Sequence, residues 1–125
     1  MLIKDFYTVD SVTEISTGKH TADITLNPNH PIFGGHFPGN PVTPGVCMMQ
    51  IIKELTQEIV GSKLQMTSAA NVKFMALINP EQTPKLKLDL NIDYPSPESV
   101  RVKNTTTFGD TVALKLSNTF KKTDN

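Results

Sequence analysis

The chain has 125 residues, 38% of them hydrophobic, and its 12 Lys and Arg balance 12 Asp and Glu to zero net charge. That length predicts one domain over residues 1–125, and the neutral charge argues against a nucleic-acid face or electrostatic docking on anionic lipid. A single cysteine, Cys47, excludes an internal disulfide or Cys-based zinc site, and the absence of a signal-like or membrane-length apolar run points to the cytoplasm.

Fifteen Thr and nine Val favour strands. Residues 7–15 and 20–26 flank Ser16-Thr17-Gly18-Lys19 and read as a hairpin. Residues 31–46 follow as a loop rich in Gly and Pro, a composition that constrains the backbone path. One helix comes next, with Thr43 as the expected N-cap, Pro44 at the first helical position and Gly61 as the stop. Its apolar residues, from Val46 to Val60, cover most of the circumference and leave a polar stripe at Gln50, Lys53, Glu54, Gln57 and Glu58. A helix this apolar must be buried on most sides.

Beyond it, Val72, Phe74, Ala76 and Ile78 alternate as a strand closed by Asn79-Pro80. Leu86, Leu88, Leu90 and Ile92 alternate with polar partners, and Tyr94-Pro95-Ser96-Pro97 reads as a turn. A strand from Val100 through Thr107 and another over Val112, Leu114, Leu116 and Phe120, interrupted by Asn118, flank the turn Phe108-Gly109-Asp110. Two strands, a loop, one long helix and four strands predict an α+β fold, a curved antiparallel sheet wrapped around a central helix.

The loop delivers His36 near the start of that helix. Gly45, in the first turn, has an N–H with no partner inside the helix, and such a donor at the positive end of a helix can hold a carbonyl oxygen as negative charge develops. A His beside it is the minimum apparatus for removing a proton alpha to a carbonyl. The plainer readings stand beside this one: a lone loop His is more often structural, Gly and Pro before a helix are commonly turn chemistry, and Gln50 is then only the first residue of the solvent stripe. His30 and His36 lie six apart without a neighbouring carboxylate, so no metal site is expected.

Gly35-His36-Phe37-Pro38-Gly39-Asn40-Pro41-Val42-Thr43-Pro44-Gly45-Val46 resembles the signature of the 3-hydroxyacyl-acyl-carrier-protein dehydratases of the FabZ/FabA type, which have the hot-dog fold. Ala70-Asn71-Val72-Lys73-Phe74 with Ile78-Asn79-Pro80, and residues 107–119, extend the likeness over nearly the whole chain. The resemblance implies that His36 removes the C2 proton of a 3-hydroxyacyl thioester, leaving the trans-2-enoyl product, and that the Gly45 N–H binds the thioester carbonyl. Phe37, Pro38, Gly39, Pro44 and Val46 would line the acyl channel. No cofactor is implied, since the thioester itself acidifies the C2 proton. The implied partners are an acyl carrier protein and a second copy of the chain, each site combining His from one subunit with a helix residue of the other, with room for higher assembly.

One position departs from the pattern. The family places a carboxylate fourteen residues after the His, where it handles the departing 3-hydroxyl, and this chain has Gln50. An amide can hydrogen-bond a hydroxyl or orient water but cannot act as a general acid, a loss worth roughly 10²–10⁴ in rate. Glu54, one helical turn on, stands where the dehydratases often have Gln; it reaches the site only with a shift of about a turn and otherwise belongs to the stripe. The leading expectation is therefore a dehydratase of fatty-acid or specialised lipid biosynthesis using His36, Gly45, Gln50 and Glu54. The alternatives are a hot-dog acyl thioesterase and a catalytically weak acyl-carrier or acyl-thioester binding protein.

Overall fold

The computed structural model describes residues 5–34 and 41–123. Strands β1 (Tyr7–Ser16) and β2 (Lys19–Leu26) precede a one-turn helix α1 (Pro31–Gly34) and the long helix α2 (Gly45–Val60). Strands β3 (Leu64–Phe74), β4 (Lys85–Ser96), β5 (Ser99–Phe108) and β6 (Thr111–Lys122) follow. All six strands form one antiparallel sheet in the order β1-β2-β4-β5-β6-β3, so β1 and β3 are its edges.

The alternation in β4 does what its period requires: Leu86, Leu88, Leu90 and Ile92 are buried, and the Lys, Asp and Asn between them face outward. Val100 and Val102 of β5 and Leu114, Leu116 and Phe120 of β6 join them, and Cys47, Met48, Ile51, Ile52 and Leu55 of α2 close the core from the other side. Gly61 ends α2 at φ 73°, ψ 27°, with its N–H donated to Gln57 O at 2.9 Å. Gly18, at φ +78°, makes the first hairpin turn; a Cβ there would meet Ile92 O at 2.8 Å, so only glycine fits. Among the described residues no helix is long and apolar enough to cross a membrane.

Three expectations need correction. The strand after α2 begins at Leu64 and ends at Phe74 rather than covering 72–78. Apart from Leu64 both of its faces are exposed, and two register shifts, one carrying Asn71 at φ 54°, break the alternation that betrays a strand in sequence. Ala76 and Ile78 instead belong to a segment that leaves the sheet and meets the start of α2, where Thr43 N donates to Ile78 O at 2.8 Å. Tyr94, Pro95 and Ser96 are not a turn but the end of β4, with the register shifting between Asp93 and Ser96. Proline sits at that irregularity because no ladder N–H is required there. Within the Gly/Pro loop, α1 buries Phe33, whose ring stacks on Phe6 at 5.2 Å, while His30 Nδ1 accepts the Ile32 N–H at 3.1 Å.

Candidate active site

The long helix opens differently from the expected cap. Its N-cap is Pro44, extended at φ −62°, ψ 143° and without a side-chain cap, so Gly45 is the first helical residue. Cys47 and Met48 donate to Pro44 O at 3.0 and 3.3 Å. Thr43 lies one residue further out: its N–H is tied to Ile78, and its hydroxyl is buried without a partner among the described residues. The Gly45 N–H accordingly has no acceptor among the described residues and sits at the positive end of a sixteen-residue helix.

Around it lies a depression of about 370 Å³ whose walls include Pro44, Gly45, Val46, Met48, Phe74 and Leu77. Those walls are chiefly apolar, and the Phe74 ring leans on Gly45 so closely that a Cβ there would stand 2.6 Å from Phe74 Cζ. Val46, Phe74, Met75 and Leu77 are all exposed in the single chain, giving an apolar opening beside a backbone donor. Pro44, Gly45 and Val46 are thus brought together, while His36, Phe37, Pro38 and Gly39 lie outside the described residues.

Gln50 and Glu54 form a second cluster further along the helix. Neither behaves as an ordinary stripe residue: Gln50 is half-buried and Glu54 is buried, and Gln50 Nε2 donates to Glu54 Oε2 at 2.8 Å. The other carboxylate oxygen, Oε1, accepts the Tyr7 hydroxyl at 2.7 Å. Burial, followed by the hydrogen bond and charge of Glu54, pushes the Tyr7 phenol well above its ordinary value of 10.0. Tyr7 and Glu54 also border a depression of about 330 Å³ with Val9, Val12, Leu55 and Glu58. The Gly45 depression and this one share no lining residue, and Gln50 lies on α2 between the helix residues that border each, one turn from the exposed Val46.

Tyr7 is the residue that sequence reasoning missed. It lies 47 positions from Glu54 at the start of β1, and no local pattern pairs two residues so far apart. Cys47 is buried in the core face of α2, and burial pushes its thiol up, which makes it a poor nucleophile. Among the described residues no three His, Cys, Asp or Glu converge to hold a metal ion.

A family model described as ApeI dehydratase matches residues 12–118. The 3-hydroxyacyl-[acyl-carrier-protein] dehydratase FabZ of Thermoanaerobacter sp. (strain X514) is 29% identical over 127 aligned positions, covering 95% of this chain and 88% of that protein. The FabZ of Rickettsia bellii (strain OSU 85-389) is 39% identical over 75 residues, 59% of this chain and 52% of its own. Among solved structures, the dehydratase heterocomplex ApeI:P from Xenorhabdus doucetiae matches with a TM-score of 0.73 at 20% identity, covering 92% of this chain and 97% of that one. A hypothetical thioesterase with coenzyme A from Streptococcus pneumoniae TIGR4 matches at 0.66 with 10% identity, covering 95% and 87%. At those identities the structures establish the shared hot-dog fold. With the family model spanning most of the sequence, the chain belongs to the ApeI-like dehydratases.

Proposed function

We propose that the chain dehydrates 3-hydroxyacyl thioesters on an acyl carrier protein to trans-2-enoyl thioesters, in fatty-acid or specialised lipid biosynthesis. The observation that carries this reading is the unpartnered Gly45 N–H at the open end of α2, inside a largely apolar depression. That arrangement suits a thioester whose carbonyl gains negative charge while its acyl chain leaves water. His36 is the base in this reading. It takes the C2 proton, the electron pair moves toward the carbonyl oxygen at Gly45, and the C2–C3 double bond forms as the C3–O bond breaks. The hydroxyl departs as water, taking that proton back from His36 through a water held at Gln50, so the site returns unchanged. Gln50 is assigned to that hydroxyl, with Glu54 behind it as its hydrogen-bond partner; Phe37, Pro38, Gly39, Pro44 and Val46 are assigned to the acyl chain.

The working unit in this reading is a homodimer formed along the β3 edge. Met66, Val72 and Phe74 of that edge strand are exposed, and Phe74 carries the same apolar surface onto Gly45. A second copy covers this surface and brings its own loop toward the helix.

The test is incubation with a 3-hydroxyacyl carrier protein, following enoyl thioester and free thiol together, with His36→Ala alongside. Enoyl product that vanishes in the variant is expected. Thiol release instead identifies a thioesterase, and carrier binding without either product identifies a binding protein.

A further inference from the structure

Tyr7 of β1 and two residues one turn apart on α2 form one hydrogen-bonded line: Tyr7 hydroxyl to Glu54 Oε1 at 2.7 Å, and Gln50 Nε2 to Glu54 Oε2 at 2.8 Å. The chemistry of the line gives it a direction. A carboxylate opposite an amide takes the NH₂, because the amide oxygen has no proton to give. Gln50 therefore turns its nitrogen toward Glu54 and its Oε1 away, on the helix stripe it shares with exposed Val46 beside Gly45. The orientation holds only while Glu54 stays in place, and the Tyr7 hydroxyl is the fixed end of the line, at the start of β1 on a residue only 6% exposed.

We infer that Tyr7 is a positioning residue: through Glu54 it locks the Gln50 amide so that its oxygen, an acceptor, meets the substrate 3-hydroxyl or the water beside it. The inference rests on the dehydratase reading and adds to it a specificity device, since a site presenting an acceptor selects a group that can donate. Tyr7→Phe keeps the ring and its packing but removes the donor to Glu54 Oε1, which weakens the hold of the line on the Gln50 amide.

The experiment is a double-mutant cycle on the purified full chain, read as kcat and KM for a 3-hydroxyacyl carrier protein. Tyr7→Phe alone is expected to lower kcat by about tenfold with KM within about twofold, the signature of a misoriented contact to the reacting group. In a Gln50→Ala or Glu54→Gln background the same change should cost less than about twofold, because the line is already cut. Equal losses in all three backgrounds overturn the inference, since a merely structural tyrosine would act independently of Gln50. A second readout does not depend on turnover: the side-chain amide resonances of Gln50, identified by their loss in Gln50→Ala, should shift in Tyr7→Phe. If the wild-type chain makes no enoyl product, the dehydratase reading fails. The amide spectrum then judges the line itself, and resonances unmoved by Tyr7→Phe overturn it.

Discussion

Gly45→Ala separates a site role from a folding role at the start of α2. A Cβ placed on Gly45 stands 2.6 Å from Phe74 Cζ, 3.0 Å from Cε1 and 3.3 Å from Cε2. Ordinary carbon contacts lie near 3.5–4.0 Å, so the ring must withdraw by about 1 Å. Phe74 is 56% exposed and its far end is the clashing part, so it can swing outward at a cost of about 0.5–1.5 kcal/mol. Against this, replacing glycine by alanine at a helical position contributes about 0.4–1 kcal/mol through the unfolded chain. The two nearly cancel, and the thermal midpoint should move by no more than about 5 °C. Activity should not be spared. The new methyl enters the depression beside the Gly45 N–H, and displacing the carbonyl by about 1 Å costs roughly 10² in kcat/KM. The assay is enoyl thioester formation beside a melting curve, repeated with Gly45→Ala combined with Phe74→Ala. Wild-type kcat/KM in a folded Gly45→Ala protein refutes the oxyanion assignment; recovery of activity in the double variant would mean that ring displacement, not the methyl, was the obstacle.

The Tyr7 phenol is held above its ordinary 10.0 in the folded chain, so the unfolded chain loses that proton first as the pH rises. The Tyr7 contribution to stability is thus complete below about pH 10 and falls above it, by up to about 1.4 kcal/mol per pH unit. Denaturant midpoints at pH 9 and 11 should converge between wild type and Tyr7→Phe as the pH rises, and parallel curves refute the contact. Asn118 is wholly buried with neither its amide nitrogen nor its oxygen bonded among the described residues. Asn118→Leu should raise stability by about 1–3 kcal/mol in a urea titration, and a loss would show that the amide has a partner in solution. Met66→Lys with Val72→Lys, on the exposed edge strand β3, should convert the proposed homodimer to monomer in sedimentation; a monomeric wild type, or a dimer of unchanged mass in the variant, refutes the β3-edge interface.

What could be read from the sequence follows from how locally each feature is written. The β4 pattern and the Gly61 stop each lie within a few residues, and each appears in the fold as its spacing demands. The helix starts one residue later than the local pattern predicts: Thr43 is a good cap in isolation, but Ile78, thirty-five residues away, holds its backbone, its hydroxyl has no partner among the described residues, and Pro44 takes the cap position. Strand β3 is not legible in the sequence because an edge strand with two exposed faces has no reason to alternate. The Glu54 cluster was half legible: its i, i+4 spacing from Gln50 is plain, but its burial depends on Tyr7, which only the folded sheet brings alongside.

The order of Gln50 and Glu54 along α2 has a consequence for any attempt to restore the carboxylate of the familiar dehydratases. Placed at position 54, the carboxylate lies beyond the first turn of α2, where the positive end of the helix no longer supports it. A buried carboxylate then needs donors, and Tyr7 and Gln50 provide one to each oxygen. Gln50→Glu alone removes one of those donors and sets two carboxylates on one face of the helix about 5–6 Å apart, where they repel. The single substitution should therefore lower the thermal midpoint without raising turnover, although it restores the residue the family pattern calls for. Exchanging both residues, Gln50→Glu with Glu54→Gln, keeps an amide and a carboxylate in contact and lets the Tyr7 hydroxyl meet the amide oxygen instead. That double variant should regain the midpoint and exceed wild-type kcat, by up to the roughly 10²–10⁴ that a general acid contributes. The decisive result is the comparison of the two: if Gln50→Glu alone is as stable and as active as the exchange, the pair does not act as a unit and Glu54 has no bearing on the chemistry at position 50.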